Sequence, residues 1–332
     1  MVISFLRAAA HDVPASAGAV VMGTGIVSVG LRLDGHGTFA NVLLCVAAAT
    51  GGLLALLAAW RAWSDRNGFL AGARSPAALT AVAASAVLGS GAKQLGWTAV
   101  TAVLLVVALA GWAGLTAVAK RVEQKSGGVV FMLVVAPQSI ATLTAELAEL
   151  ARARWLLVPA GAFAALGLAL YPVVLRRFDI RALRHGGGAH WVAGGSLAVS
   201  ALAVARLADG TQILAHAALL HDGLRIAALV IWALALAWFV ALVASELRWP
   251  RQRYRGERWS TVFPLGMYAV CSFAVSTAGG PHAGGDFARV WIWLAVAGWG
   301  ATALGTLDMI RRRIHFVLSG SSEGRGLPST QD

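Results

Sequence analysis

Charged residues are scarce in this chain. Only 13% of its 332 residues are Asp, Glu, Lys or Arg, whereas a soluble domain carries about a quarter. Acidic residues are the rarer kind, 15 against 27 basic ones, while 58% of the residues are hydrophobic and the mean hydropathy is +0.72. This composition excludes an ordinary soluble domain and predicts a protein that resides in a membrane.

Cysteine is almost absent as well. Cys45 and Cys271 lie in different hydrophobic segments, far apart in sequence, and form no CxxC or similar ligand spacing. The eight histidines fall at segment ends or between segments and include no HExxH pattern, so we expect them to be solvated or interfacial. We therefore predict no metal site, no cofactor and no enzymatic activity.

Long apolar segments are what the chain has in quantity. Each is about 20 residues long, which is the length needed to cross the hydrocarbon core. The sequence predicts an all-α polytopic membrane protein, with 1–315 as a single transmembrane transport domain and 316–332 as a disordered cytoplasmic tail. The N-terminus lacks the order of a cleaved signal peptide, so we expect no cleavage. The ten predicted spans are 14–33, 39–60, 76–92, 97–118, 128–147, 155–175, 190–207, 224–245, 260–279 and 288–310.

The basic residues alternate between the two sides of the predicted membrane. The N-terminus, the loops that follow even spans and the C-terminus together hold 20 of the 27 Lys and Arg residues. By the positive-inside rule both termini are cytoplasmic, and the protein is a multi-pass protein of the cell (plasma or inner) membrane. The basic segment 248–258 is then a cytoplasmic loop, so the net charge of +12 predicts no nucleic-acid partner.

Polar residues divide the spans into two groups. Spans six and eight contain no Ser, Thr, Asn or Gln, whereas odd-numbered spans contain several. Because hydroxyl groups inside a bilayer prefer protein or water to lipid, we expect five helical hairpins, with odd helices forming an inner ring around a central pore and even helices forming an outer ring. The predicted pore-lining polar residues are Thr24, Ser28, Ser85, Gln138, Ser139, Thr142 and Ser196.

Helix breakers concentrate in the same odd spans. Pro264 has no N–H, so the carbonyl of Ser260 loses its helical partner, and Phe263 is biased out of the α region. Two interpretations remain open at this point: a packing kink, or a bend that aims the Phe263 ring across a hydrated path. The predicted helix breaks lining the pore are Pro264, Gly266, Pro137, Gly23, Gly25, Gly89, Gly194 and Gly195.

The predicted topology also aligns the helix dipoles. All five odd helices run from the cytoplasm outward, so their partially positive N-termini face the cytoplasm, and half-helices restarting after Pro137 and Pro264 add further N–H groups. A hydroxyl-lined axis without a buried carboxylate favours anions, and the basic cytoplasmic surface raises their local concentration. The sequence therefore indicates an anion path.

Four segments resemble one transporter family. They are PASAGAVVMGTGIVSVGL (14–31), AVLGS (86–90), VVAPQSIATL (134–143) and WSTVFPLGMYAV (259–270). They are similar to the tellurite-resistance/dicarboxylate transporter family, which includes slow-type plant anion channels, fungal malate permeases and sulfite efflux pumps. The resemblance covers about residues 12–312, although Trp259 and Ser260 stand where the channel members usually have an aromatic pair.

The resemblance implies a structure and a gate. It implies ten helices as five hairpins, an inner ring around a pore, a homotrimer with one pore per subunit, and a pore plugged by Phe263. Two functions stay open: an anion channel passing small anions, or a proton-coupled carrier of C4-dicarboxylate, sulfite or tellurite. For the carrier, Glu146 at the outer end of span five is the candidate proton-coupling residue. A non-transporting membrane sensor is disfavoured, because no soluble domain is attached.

Overall fold

Ten α helices of at least 15 residues make up most of the part of the chain that the structure describes. The computed structural model describes residues 14–118, 126–185, 187–212, 214, 217–250, 254–278 and 282–323, and these residues include no β-strand. The all-α prediction is thus confirmed. The helices are α1 (Gly18–Leu33), α2 (Gly37–Ser64), α3 (Thr80–Gln94), α4 (Thr98–Val118), α5 (Met132–Leu150), α6 (Leu157–Arg177), α7 (Val192–Thr211), α8 (Ala218–Arg248), α9 (Trp259–Thr277) and α10 (His282–Glu323).

Most of these helices can cross a bilayer, which makes this a multi-pass membrane protein. Among the described residues, eight helical segments are long and apolar enough to span it. A ninth is the bent pair Arg66–Ala73 and Pro76–Gln94, whose two parts meet at 84°. The remaining apolar helix, α1, has 16 residues. The predicted ten spans therefore correspond to ten helices, of which eight or nine meet the length of a full span.

The C-terminal helix is longer than expected. α10 continues to Glu323, so the first part of the segment 316–332, predicted as a disordered tail, is helical. Residues 324–332 lie outside the described part of the chain, as do 1–13.

The helices form five hairpins arranged in two rings. Each odd helix packs against the even helix that follows it, from α1 with α2 to α9 with α10. The odd helices contact one another in the order α1, α3, α5, α7, α9, and α9 contacts α1. The odd helices thus form a closed inner ring, as predicted.

Burial separates the two rings clearly. In the apolar core of each span, 89% of the residues are buried in α5, 94% in α7 and 72% in α9. The corresponding share is 11% in α2, 17% in α4, 28% in α6, 22% in α8 and 17% in α10. Because the exposed side chains of the outer helices are largely apolar, the outer ring is suited to lipid. Most of the buried Ser and Thr residues belong to the inner ring, and their hydroxyls would be costly in lipid.

The inner helices all run in the same direction. At one end of the ring, Thr80 Oγ1 donates to Ala15 O at 3.4 Å, and Thr261 Oγ1 donates to Gly188 O at 3.3 Å. These contacts join the starts of α1 and α3 and of α7 and α9. At the other end, Glu146 of α5 contacts residues near the ends of α3 and α7. We call these two ends the N-terminal face and the C-terminal face.

The predicted helix breaks do not interrupt the helices. Pro137 lies inside α5 and Pro264 inside α9, and all six predicted glycines also lie inside α helices. A proline can be kept in a buried membrane helix because neighbouring helices and local adjustments satisfy the freed carbonyl. The half-helix N-termini expected after the two prolines are therefore absent from the described helices.

The six glycines instead allow the inner helices to approach closely. At five of them, an added Cβ would lie 2.6 to 3.1 Å from a side chain of the adjacent inner helix, and at Gly194 it would meet the Tyr268 hydroxyl. Small residues at helix contacts are typical of membrane bundles, where close packing replaces the hydrophobic driving force. The five pairs are Gly23 with Val262, Gly25 with Val87, Gly89 with Leu143, Gly195 with Pro264 and Gly266 with Ile26.

Candidate functional site

The inner ring encloses a narrow cavity on its axis. All five inner helices contribute to its wall, which has nine apolar and four polar residues. The cavity volume is about 20 Å³, which is room for roughly one water molecule. A hydrated ion is larger than this space.

Phe263 forms part of the cavity wall. It is the fifth residue of α9, its exposed fraction is 1%, and it is among the largest fully buried side chains. The next residue, Pro264, contacts α7 at Gly195. Since a helix turns by about 100° per residue, Phe263 can line the cavity while Pro264 packs on α7.

Two of the predicted pore-lining polar residues reach the cavity. Ser139 and Thr142 of α5 both line it. Thr142 Oγ1 donates to Gln138 O at 2.9 Å within the helix. Ser139 Oγ is buried and has no hydrogen-bond partner among the described residues, so its hydroxyl is available to a molecule in the cavity.

Three other predicted pore residues face the outer ring instead. Each makes a hydrogen bond to the even helix next to it, although Gln138 Oε1 is buried without a hydrogen-bond partner among the described residues. The bonds are Trp299 Nε1 to Thr24 Oγ1 at 3.0 Å, Ser28 Oγ to Ala40 O at 2.7 Å, and Gln138 Nε2 to Ala164 O at 3.0 Å.

The last two, Ser85 and Ser196, bond within their own helices. Ser85 Oγ donates to Ala81 O at 3.0 Å, and Ser196 Oγ donates to Ala193 O at 2.8 Å. A serine can satisfy its hydroxyl on a carbonyl three or four residues earlier, so its presence in an inner helix does not say which way it faces. The cavity wall includes neither residue.

A charged cluster lies at the C-terminal face of the cavity. Glu146 lines the cavity with an exposed fraction of 5%. Its Oε2 accepts a hydrogen bond from Ser90 Oγ at 2.6 Å, and its Oε1 lies 3.6 Å from Arg206 Nε. Arg206 NH1 also lies 3.2 Å from Asp209 Oδ2. The cavity wall therefore includes a buried carboxylate with a largely buried cation beside it.

Most of this cluster was not predicted from the sequence. The expected axis had no buried carboxylate, Glu146 was expected at its outer edge, and neither Ser90 nor Arg206 had a predicted role. The available signal was positional: Glu146 and Arg206 are each the fifteenth residue of their inner helices. In parallel helices packed side by side, such residues lie at the same depth.

A second charged group lies at the N-terminal face. The carboxylate of Glu246 accepts hydrogen bonds from Arg258 Nη1 at 2.8 Å, to Oε1, and from Trp191 Nε1 at 3.4 Å, to Oε2. His190 Nε2 lies 3.8 Å from Glu246 Oε2. His190 is 1% exposed, which corrects the expectation that every histidine is solvated or interfacial. The carboxylate of Glu246 joins α8 to the starts of α7 and α9 and so supports the position of Phe263.

Comparison with known proteins agrees with this architecture. The chain is 29% identical over 167 residues to two uncharacterized membrane proteins of Mycobacterium tuberculosis, one from strain CDC 1551 / Oshkosh and one from strain ATCC 25618 / H37Rv. Each alignment covers 48% of this chain and 79% of the relative.

A family comparison covers far more of the chain. Residues 12–307 match the family described as voltage-dependent anion channel (SLAC1). The matched range contains all five inner helices and the whole cavity wall, and it confirms the resemblance found in the sequence. This chain therefore belongs to the voltage-dependent anion channel family, a family of membrane anion channels and transporters.

Proposed function

We propose that this protein is a passive channel for small inorganic anions, with a path along the axis of the inner ring that is closed at Phe263. One observation carries the proposal: a cavity of about 20 Å³ is lined by all five parallel inner helices and by the Phe263 ring. An aromatic ring in so narrow a path forces an ion to shed its water, which is a hydrophobic barrier. The role is transport without catalysis.

The helix dipoles support anions as the ions carried. Five parallel helices place their partially positive N-termini at one face. We propose that this N-terminal face is cytoplasmic, since the basic loops flank it. The dipole contribution comes from the helix ends alone, because the helices continue through Pro137 and Pro264. We further propose one such path per subunit in a homotrimer within the lipid bilayer.

One observation favours a second candidate, a proton-coupled carrier. Glu146 is a protonatable carboxylate in the wall of the path, which is where a coupling residue must lie. Such a carrier would move C4-dicarboxylate, sulfite or tellurite with a proton. The channel remains our preferred proposal, because a Phe263 plug requires no coupled step.

Anion flux into liposomes separates the two candidates. Purified protein is reconstituted and tested with nitrate, chloride, sulfate, sulfite and malate, with and without a pH gradient. The channel predicts flux that follows the membrane potential and ignores the pH gradient. Flux that requires the pH gradient would reject the channel in favour of the carrier.

The proposed orientation predicts where single cysteines react. A cysteine at Arg255, between α8 and α9, should be reached from the cytoplasm only, and one at Gly96, between α3 and α4, from outside only. The measurement is labelling of intact cells with a membrane-impermeant thiol reagent, in a background with Cys45 and Cys271 replaced by alanine. Outside labelling at Arg255 would contradict the orientation.

The lining of the cavity predicts selectivity. It is mostly apolar, and Arg206 is balanced by two carboxylates, so the path compensates weakly for lost hydration. Nitrate, which gives up water easily, should pass faster than chloride, and sulfate should hardly pass. Reversal potentials under paired-anion gradients measure this order. A strong preference for a dianion would contradict a weakly compensating path.

A further inference from the structure

An acidic side chain inside an anion path needs an explanation. The Glu146 side chain is 6% exposed and that of Arg206 is 14% exposed, so the two groups are largely withdrawn from solvent. Burying an ion pair is costly unless its geometry is good. A purely structural pair could equally lie between an inner and an outer helix, yet Glu146 lines the cavity itself.

The carboxylate of Glu146 lies next to the donors that a passing anion would need. Ser90 Oγ donates to one of its oxygens at 2.6 Å, and Arg206 Nε faces the other at 3.6 Å. Arg206 Nε is buried and has no hydrogen-bond acceptor in the described part of the chain. Ser90 lines the cavity and Arg206 lies next to it, beside Glu146; an arginine N–H and a hydroxyl are the groups expected to hold a small oxyanion or halide.

We propose that Glu146 is a tethered anion gate. Its carboxylate occupies an anion-binding site formed by Arg206 and Ser90. A permeating monoanion such as nitrate or chloride binds there once the carboxylate is protonated or moves aside. This inference rests on the proposed path along the inner ring. A carboxylate and a nitrate are both planar and spread one negative charge over their oxygens, so one site can accept either.

The surrounding charges make the carboxylate decisive. The cluster contains two cations and three carboxylates, and Glu146 is the carboxylate that contacts both Ser90 and Arg206, so neutralising it removes the negative charge next to both donors. Other groups nearby are Glu149, which pairs with Lys93 at 3.0 Å, and His221 of α8, whose Nδ1 lies 2.8 Å from Ala208 O. The cluster members are Lys93, Glu146, Glu149, Arg206 and Asp209.

A second donor continues the path toward Phe263. Ser139 lies seven residues before Glu146 on α5 and lines the same cavity, which places it about 10 Å deeper. Its hydroxyl has no hydrogen-bond partner among the described residues. An anion released from Arg206 therefore meets a free donor before it reaches the aromatic plug.

Nitrate binding to the purified full-length protein tests the gate without requiring conduction. Melting temperatures are measured across a nitrate series at about pH 7.5, where carboxyl groups are ordinarily ionised. Glu146→Gln should show a nitrate-dependent rise and bind nitrate about tenfold more tightly than wild type, because one negative charge has left the site. Glu149→Gln removes the same charge one turn away, from a side chain that is 47% exposed. This control should bind nitrate like wild type.

One further variant completes the test. Arg206→Gln combined with Glu146→Gln should lose the nitrate response, because the cation is gone. If Glu146→Gln does not fold, Glu146→Ala removes the same charge and decides the question in its place.

The gate and the proposed channel fail in different ways. The gate is overturned if Glu146→Gln binds nitrate no more tightly than wild type, or if Glu149→Gln binds it as tightly as Glu146→Gln. Either result counts against the gate even if Phe263→Ala conducts. If Phe263→Ala carries no anion current, the result counts against the channel. The anion site would still be supported by nitrate binding that requires Arg206 and the loss of the Glu146 charge.

Discussion

Replacing Phe263 by alanine is expected to open the path to anions. The ring is 1% exposed in a cavity of about 20 Å³, so its removal takes the main hydrophobic barrier from the axis. If the ring contributes ~3 kcal/mol to the barrier, the anion current should rise about 100-fold. Phe263→Leu should give an intermediate current, because leucine fills the axis less completely. Voltage-clamp recordings of the three proteins, with matched surface expression, measure the effect.

Phe131 provides the matched control for this experiment. It is fully buried, lies at the start of α5, and packs against Tyr171 and Phe178 with ring centroids 5.7 and 5.4 Å away, but it does not line the cavity. Phe131→Ala should cost about 3–5 kcal/mol of stability and produce no current. A Phe263→Ala protein that is similarly destabilised and electrically silent would mean that Phe263 only packs.

Replacing Gly195 by alanine is expected to destabilise the protein and disturb the gate together. The new Cβ would lie 2.8 Å from Pro264 Cγ and 3.3 Å from its Cα, so α9 has to move away from α7. Overpacking of this kind costs about 1–3 kcal/mol. Since Phe263 precedes Pro264, we also expect a small constant anion leak. Thermal unfolding in detergent and recordings at fixed voltage measure the two effects.

Gly161 is the control for the glycine prediction. It lies in the outer helix α6, and an added Cβ there would meet nothing within 4 Å. Gly161→Ala should therefore be no less stable than wild type, because alanine favours a helix more than glycine. Equal melting temperatures for Gly195→Ala and Gly161→Ala would contradict a close α7–α9 contact.

The ring arrangement could be predicted from sequence because lipid imposes it. A hydroxyl in contact with lipid is costly, so the distribution of Ser and Thr separates buried from exposed helices. The prediction of odd inner and even outer helices followed from this, and burial in the structure agrees with it. The helix count and the span lengths follow from bilayer thickness in the same way.

The role of the glycines could not be predicted equally well. A glycine in a membrane helix permits either a break or a close helix contact, and the sequence does not distinguish them. Gly25 meets Val87 and Gly89 meets Leu143 across inner-helix contacts. These pairings depend on the relative rotation of two helices, which a single-helix pattern does not contain.

The sequence also did not indicate which way the polar side chains point. Ser28 and Ser139 are both serines of inner helices, yet Ser28 bonds to α2 and Ser139 lines the cavity. The Glu146–Arg206 pair joins residues that are 60 positions apart, so it emerges only when α5 and α7 are placed side by side. Long-range pairs of this kind require the tertiary arrangement.

The reversal potential of Phe263→Ala tests the central claim most directly. The purified variant is placed in a planar bilayer with unequal nitrate concentrations on the two sides, first at equal pH and then with a pH gradient. A passive anion path along the inner ring predicts reversal close to the nitrate equilibrium potential, unchanged by the pH gradient. Reversal that shifts with the pH gradient, or that follows the cation, would contradict the account.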